Sequence, residues 1–363
     1  MKALIRYEFK ILRWMLIYFI LGFGYMAYTY ENILADRYKL LILEPITSST
    51  YMINIGIAYL RGINNGIICI GLIGILLMIY LQVKDSKSIE VGRFLKVLPI
   101  KGKTYYRVKV IGGVLTFTIP YLISCLCLIG TKGKYSEIFN DFYSLHPRYE
   151  EFVHAESMGM FLQVLFTTYL ILLFSYLFLM SMQYIISHAV SALIIGILVG
   201  GVPAYLGVTI TGICNEIIPA NYEDFVKYLL PWSYTSDLIN FSKGYANVGS
   251  FRDARLFKIP YIEIEWLFLL GLCILFWIIG SQLSRYHKVE NADQLISSAL
   301  MKKIFVVGVV VCSACLPLFA QIIGIDLMIR NMWVMSAAML VTATIGLLVS
   351  KKIAYYGDKG GRS

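Results

Sequence analysis

Charged side chains are scarce in this sequence. They make up 15% of its 363 residues, against about a quarter in an ordinary soluble domain. The shortage excludes a chain kept in water by a charged surface, because 58% of the residues are hydrophobic and the mean hydropathy is +0.71. One water-soluble core cannot hide that much apolar surface, and lipid is the solvent that takes the excess. Histidine is scarcer still: His146, His154, His188 and His287 are scattered, and no HExxH pairs two of them on a helix face. His146 and His154 share a carboxylate-rich segment, where solvated loop histidines are the ordinary reading and a metal site the rarer one. A Walker A motif is also missing. Gly130-Thr131-Lys132-Gly133-Lys134 is like one only in part, because Tyr135 stands where Ser or Thr must hold magnesium and the spacing from the first glycine is wrong. No nucleophile, metal cluster or acid–base pair stands out, which leaves a membrane-embedded enzyme acting on lipid as the weakest reading.

Cysteine is present but not as a framework. Six of the seven cysteines fall inside apolar runs, and seven is an odd count, so disulfide stapling is not expected. Cys312 and Cys315 form a CxxC. A redox or metal pair is one reading; small inert thiols within an apolar span, with no His or carboxylate nearby, are the other.

What the sequence has in quantity is long apolar runs. Candidate spans are 14–30, 63–83, 110–130, 158–185, 189–212, 264–284, 304–325 and 331–350, each near the ~20 residues that cross the hydrocarbon core. All are expected to be helical, since lipid offers the backbone no partner. The expected fold is therefore an all-α bundle, one polytopic domain over 1–363 with eight transmembrane helices. No small-residue cleavage site closes the first apolar run, so no cleavable signal is expected.

Orientation follows from Lys and Arg. With the N-terminus inside, the inner segments 1–13, 84–109, 285–303 and the tail after Ser350 hold 20 of the 32 basic residues but only 6 of the 22 acidic ones. The positive-inside rule then puts both termini in the cytoplasm. The net charge of +10 collects at span ends, which points to topology and anionic lipid as the basic partner, with no nucleic acid. Residues 131–157 and 213–263 become outer loops. The first carries Glu137, Asp141, Glu150, Glu151 and Glu156; the second carries Tyr222, Tyr228, Trp232, Tyr234 and Tyr245, residues that favour the headgroup layer. Residues 1–13 are amphipathic, with Lys2, Arg6, Lys10 and Arg13 among Leu4, Ile5, Phe9, Ile11 and Leu12. They read either as an interfacial helix or as an extension of the first span.

The spans contain essentially no ionisable residue. That argues against a proton relay and against an intramembrane protease. Their polar residues are milder: Asn64, Asn65, Gln163, Thr167, Thr168, Gln183, Gln282 and Gln321, most of them suited to helix-to-helix hydrogen bonds. Pro120, Pro203 and Pro317 are expected to kink their helices. Gly196, Gly200, Gly201 and Gly207 in the fifth span would permit close helix approach, for packing or for a subunit seam.

The inner loop from Lys84 to Val110 combines eight basic residues with an apolar patch of Phe94, Leu95, Val97, Leu98, Pro99 and Ile100. A purely solvated basic loop has no need of that patch, which reads as a partner surface or as a short helix held against lipid. Glu90-Val91-Gly92-Arg93-Phe94-Leu95 followed by Leu98-Pro99-Ile100-Lys101 resembles the coupling-helix element between the second and third spans of type-2 ABC transporter permeases. Lys101-Gly102-Lys103 departs from the Ser or Thr then Arg common there. Arg285-Tyr286-His287-Lys288-Val289-Glu290-Asn291-Ala292-Asp293 resembles the segment after the sixth span in an eight-span Gram-positive branch of the same family.

The resemblance implies a permease subunit in a bacterial plasma membrane, an exporter rather than an enzyme. It implies ABC ATPase subunits on separate chains as partners, carrying the ATP and magnesium, and a second permease, identical or a sister chain. This chain would hold no cofactor or metal and no catalytic residue. Phe94, Leu95 and Leu98, with Pro99 and Ile100 beside them, would be the knobs seated on the ATPase. Glu90 and Arg93 would be their polar partners, and Arg285, Lys288, Glu290 and Asp293 a second cytoplasmic contact. The lack of mid-span charge leans toward an amphipathic or hydrophobic cargo such as a peptide, an antibiotic or a lipid. The alternative class is a nonenzymatic scaffold or sensor that binds a ligand or partner through its outer loops.

Overall fold

The computed structural model describes residues 2–43, 55–87, 102–145, 158–217, 262–286, 299–322 and 332–355. Among them are eight α-helices: α1 Lys2–Leu43, α2 Ile55–Val83, α3 Gly102–Leu145, α4 Met158–Met182, α5 Ala189–Ile217, α6 Ile262–Tyr286, α7 Ala299–Ile322 and α8 Met332–Ala354. All eight are long and apolar enough to cross a membrane. That is the multi-pass helical character expected of a chain whose backbone must satisfy its own hydrogen bonds in lipid.

The helices overrun the apolar runs. α1 has 42 residues and α3 has 44, roughly 65 Å each at 1.5 Å per residue, about twice the hydrocarbon thickness. α1 passes without a break from the basic segment into the first span. α3 continues through 131–145, so the first half of the loop expected at 131–157 is helical. The cause is local: Lys, Glu, Arg and Gln are good helix formers outside lipid too, so a hydropathy drop marks the end of a span but not of its helix. At the other extreme α4 ends at Met182, and residues 183–188 form the turn into α5.

The chain divides into two compact units. The first comprises Met1–Met78, Val108–Tyr176 and Trp232–Ile274. The stripe Leu4, Glu8, Leu12, Met15, Phe19, Phe23, Ala27, Tyr30 and Leu34 on α1 is buried, a spacing of three to four that keeps one helix face inward. Phe19 lies 6.3 Å from Phe117, and Phe23 meets Tyr121 edge-on at 5.7 Å. Hydrogen bonds stitch the helices: Ser124 Oγ donates to the Phe23 carbonyl at 2.9 Å and Tyr121 to the Leu165 carbonyl at 2.6 Å. Thr168 Oγ1 donates to Asn64 Oδ1, and Trp266 Nε1 to Thr167 Oγ1 at 2.9 Å. The close helix approach is made by α2, where a Cβ on Gly74 would stand 2.5 Å from the Phe19 ring and one on Gly71 the same distance from Leu172.

The second unit comprises Ile79–Arg107, Leu177–Pro231 and Leu275–Ser363. α7 packs along α8 and also touches α5. Tyr205 on α5 donates to the Cys312 carbonyl at 2.7 Å and lies 4.8 Å from the Phe319 ring. Lys302 Nζ sits 5.6 Å from the Tyr355 ring, joining the start of α7 to the residue after α8. Cys312 and Cys315 are free thiols, and no group of metal-ligating side chains occurs among the described residues. Of the four α5 glycines Gly196, Gly200 and Gly207 are buried, and Gly196 abuts Leu179, whereas a Cβ on Gly201 would meet nothing within 4 Å.

Candidate functional site

The apolar patch and its neighbours, Glu90, Arg93, Phe94, Leu95, Leu98, Pro99 and Ile100, lie outside the described residues, as do Lys288, Glu290 and Asp293. So do His146, His154 and residues 218–261 of the second expected outer loop. Arg285 falls in the last turn of α6. What the structure gives for the α2–α3 loop is the way it leaves α2 and the way it enters α3.

The loop leaves α2 through Lys84 and a single 3₁₀ turn, Asp85–Lys87. Ser86 Oγ closes back on the Val83 carbonyl at 2.8 Å, capping the helix. Lys87 then reaches across to the α4–α5 turn. Its ammonium donates to Gln183 Oε1 at 2.9 Å and to the Ile186 carbonyl at 2.6 Å. Gln183 is itself fixed, its Nε2 donating to the Ala189 carbonyl at 3.3 Å. Burial pushes the Lys87 ammonium down to about 7, because the charged form loses its hydration there. This contact joins two connections that follow α2 and α4.

The entrance to α3 is held differently. Tyr106 is fully buried, meeting Tyr184 edge-on at 5.3 Å and Trp277 at 6.0 Å. A Cβ on Gly280 would collide with its hydroxyl, and that hydroxyl has no hydrogen-bond partner among the described residues. All of these residues belong to the second unit.

Three residues further along α3, within the first unit, Lys109 pairs with Glu8 of α1. Nζ and Oε1 are 2.9 Å apart, and the two side chains are 1% and 2% exposed. The approach is close but poorly aligned as a hydrogen bond, and Glu8 Oε2 has no hydrogen-bond partner among the described residues. The carbonyl of Lys109 accepts from Tyr176 at 3.2 Å, whose hydroxyl fills the space over Gly113.

Sequence reasoning assigned Glu8 and Lys109 to separate polar segments and did not pair them. The structure corrects this: both lie inside helices long enough to cross a membrane, and both are buried. The middles of the spans stay free of charge, as expected, but the span ends hold a buried ion pair. The available signal was positional. Glu8 is the one acidic residue in the first thirteen, and it occupies the same face as Leu4 and Leu12.

The arrangement can fix the ends of the α2–α3 loop to other helices. Compared with protein-family models, curated proteins and solved structures, the chain finds no match.

Proposed function

We propose that this chain is the membrane-spanning permease subunit of an ABC transporter of the type-2, eight-span kind. The α2–α3 loop is its cytoplasmic coupling element, and ATP is hydrolysed by a separate subunit. The observation that supports the reading most is the bracing of that loop at both ends. Lys87 ties its start to the α4–α5 turn, and its continuation into α3 is held by the Tyr106 aromatic cluster and by the Glu8–Lys109 pair. A loop that receives a push must transmit it to helices rather than absorb it, and buried anchors provide that stiffness. A partner bound differently in two nucleotide states would then shift the packing of the helices carrying those anchors. The apolar patch between the anchors, from Phe94 to Ile100, is the surface on which such a partner would sit. Cargo is an amphipathic or hydrophobic molecule, carried outward between this permease and a second copy or a sister chain.

The test is a pull-down of the tagged chain from its native membrane in mild detergent, with mass spectrometry of what stays bound. A stoichiometric ATPase bearing its own Walker motifs is the expected result. A preparation free of ATPase, repeated in nanodiscs, overturns the reading and shifts weight to a scaffold or sensor.

A further inference from the structure

Between α1 and α3, inside the first unit, runs an open groove of about 230 Å³. Gly24, Ala27 and Glu31 line one wall, and Ile123, Cys127 and Thr131 the other. From Ile20 to Glu31 the groove follows twelve residues of helix, roughly 16 Å from first to last at 1.5 Å per residue. Its polarity is graded. The Ser124 hydroxyl in the middle is already committed to the Phe23 carbonyl, and the Tyr28 side chain, which also lines the groove, is largely exposed. A Cβ on Gly24 would meet nothing within 4 Å, which leaves that position empty. At one end Glu31 pairs with Lys134 at 3.4 Å, and both side chains are about half exposed.

We infer that this groove is a resident site for a zwitterionic phospholipid. One acyl chain lies along the Gly24–Ala27 wall, and the headgroup sits astride Glu31 and Lys134. An open groove of this volume takes a single alkyl chain along its length. Charge selects the headgroup: the carboxylate of Glu31 suits an ammonium and Lys134 a phosphate, an opposed pair that matches a zwitterion and not a purely anionic lipid. An exposed pair is worth ~0–1 kcal/mol, so opening it to admit a headgroup costs little. The surroundings supply the ligand, because Leu21, Tyr25, Leu122 and Leu126 on the same helices are exposed apolar residues on segments fit to span the bilayer. The site does not depend on the transporter reading, and the lipid is a fixture of the fold rather than cargo.

The experiment is native mass spectrometry of the full chain released from nanodiscs containing equal phosphatidylethanolamine and phosphatidylglycerol. Wild type should retain a single phosphatidylethanolamine. Gly24→Leu puts a side chain into the groove from a position where a Cβ would meet nothing within 4 Å and replaces a poor helix former, so it should fold and lose that lipid. Gly201→Leu, at another open glycine, should keep it. Cys127→Trp blocks the groove from the opposite wall and should repeat the loss. Glu31→Lys should move the preference to phosphatidylglycerol. Equal retention by wild type and both groove-filling variants overturns the site. A wild type that prefers phosphatidylglycerol overturns the headgroup assignment. Loss of a second copy of the chain, rather than of lipid, in Gly24→Leu makes the groove a seam between subunits and overturns the proposal.

Discussion

At the scale of single residues, the buried ion pair and the buried ammonium carry the sharpest expectations. A carboxylate and an ammonium withdrawn from water offset each other's desolvation, and removing one leaves the other's buried charge less compensated. Glu8→Gln or Lys109→Met should each destabilise the folded chain by about 3–5 kcal/mol. The exchanged double variant, Glu8→Lys with Lys109→Glu, should recover most of the loss, measured as midpoint shifts in detergent unfolding; no recovery would mean that each side chain matters for packing alone. For Lys87 the sign follows from a value of about 7 in the fold, below the ~10.4 of a free lysine. The free chain takes up a proton first as pH falls, so the docked turn is most stable above the free-lysine range. It loses stability down to about 7 and changes no further below it. Competitive acylation of lysines read by peptide mapping should place the Lys87 midpoint near 7 and exposed lysines near 10. Neither feature was legible from composition. Charges were assigned to loops because hydropathy windows average over them, and only the three-to-four spacing of Leu4, Glu8 and Leu12 marks Glu8 as inward.

At the scale of elements, the helix count and type were readable, since eight apolar runs can satisfy their backbones in lipid in only one way. The ends were not readable. α1 and α3 outlast their hydrophobic runs because nothing in the flanking sequence breaks a helix: 31–43 and 131–145 contain no proline, and Gly133 alone among them is glycine. Polar residues within spans followed expectation where a partner faced them, as with Asn64 and Thr168 or Thr167 and Trp266. The fifth-span glycines did so in part, since Gly196, Gly200 and Gly207 are buried and Gly201 is exposed. The fifth-span cluster drew notice for its density, but sequence cannot say which glycines face a neighbour. Gly74 sits under the Phe19 and Tyr18 rings, while Gly201 faces open space. Gly74→Leu should therefore cost about 1–3 kcal/mol or more by overpacking. Gly201→Ala should be neutral or stabilising by up to ~1 kcal/mol, the difference in helix propensity. Thermal melts of the two variants in one detergent check the contrast, and equal behaviour would mean that α2 does not approach α1 closely.

For the whole molecule, what remains is which side each connection faces and what the α2–α3 loop does there. The Lys87 contact constrains the first question independently of charge counting. Lys87 cannot donate to Gln183 and Ile186 unless the connections after α2 and α4 emerge on the same side of the membrane. With the native cysteines replaced by alanine, Ser86→Cys and His188→Cys, at positions that are not buried, should both react with a membrane-impermeant thiol reagent from one side only. That side should be the one on which a C-terminal tag is digested, because the positive-inside count puts the tail there too. Labelling of Ser86→Cys and His188→Cys from opposite sides would break the pairing of the two turns. The second question rests on residues whose role was read from a local resemblance, and it needs a functional measurement. If the loop is the coupling element, a charge in its apolar patch should spoil the seat without spoiling the anchors. Phe94→Asp and Leu98→Asp should insert normally, keep the Lys87 and Glu8–Lys109 contacts, and uncouple ATP hydrolysis from cargo movement in reconstituted vesicles. Full coupling in both variants would remove the loop from the mechanism while leaving the eight-helix architecture as it stands.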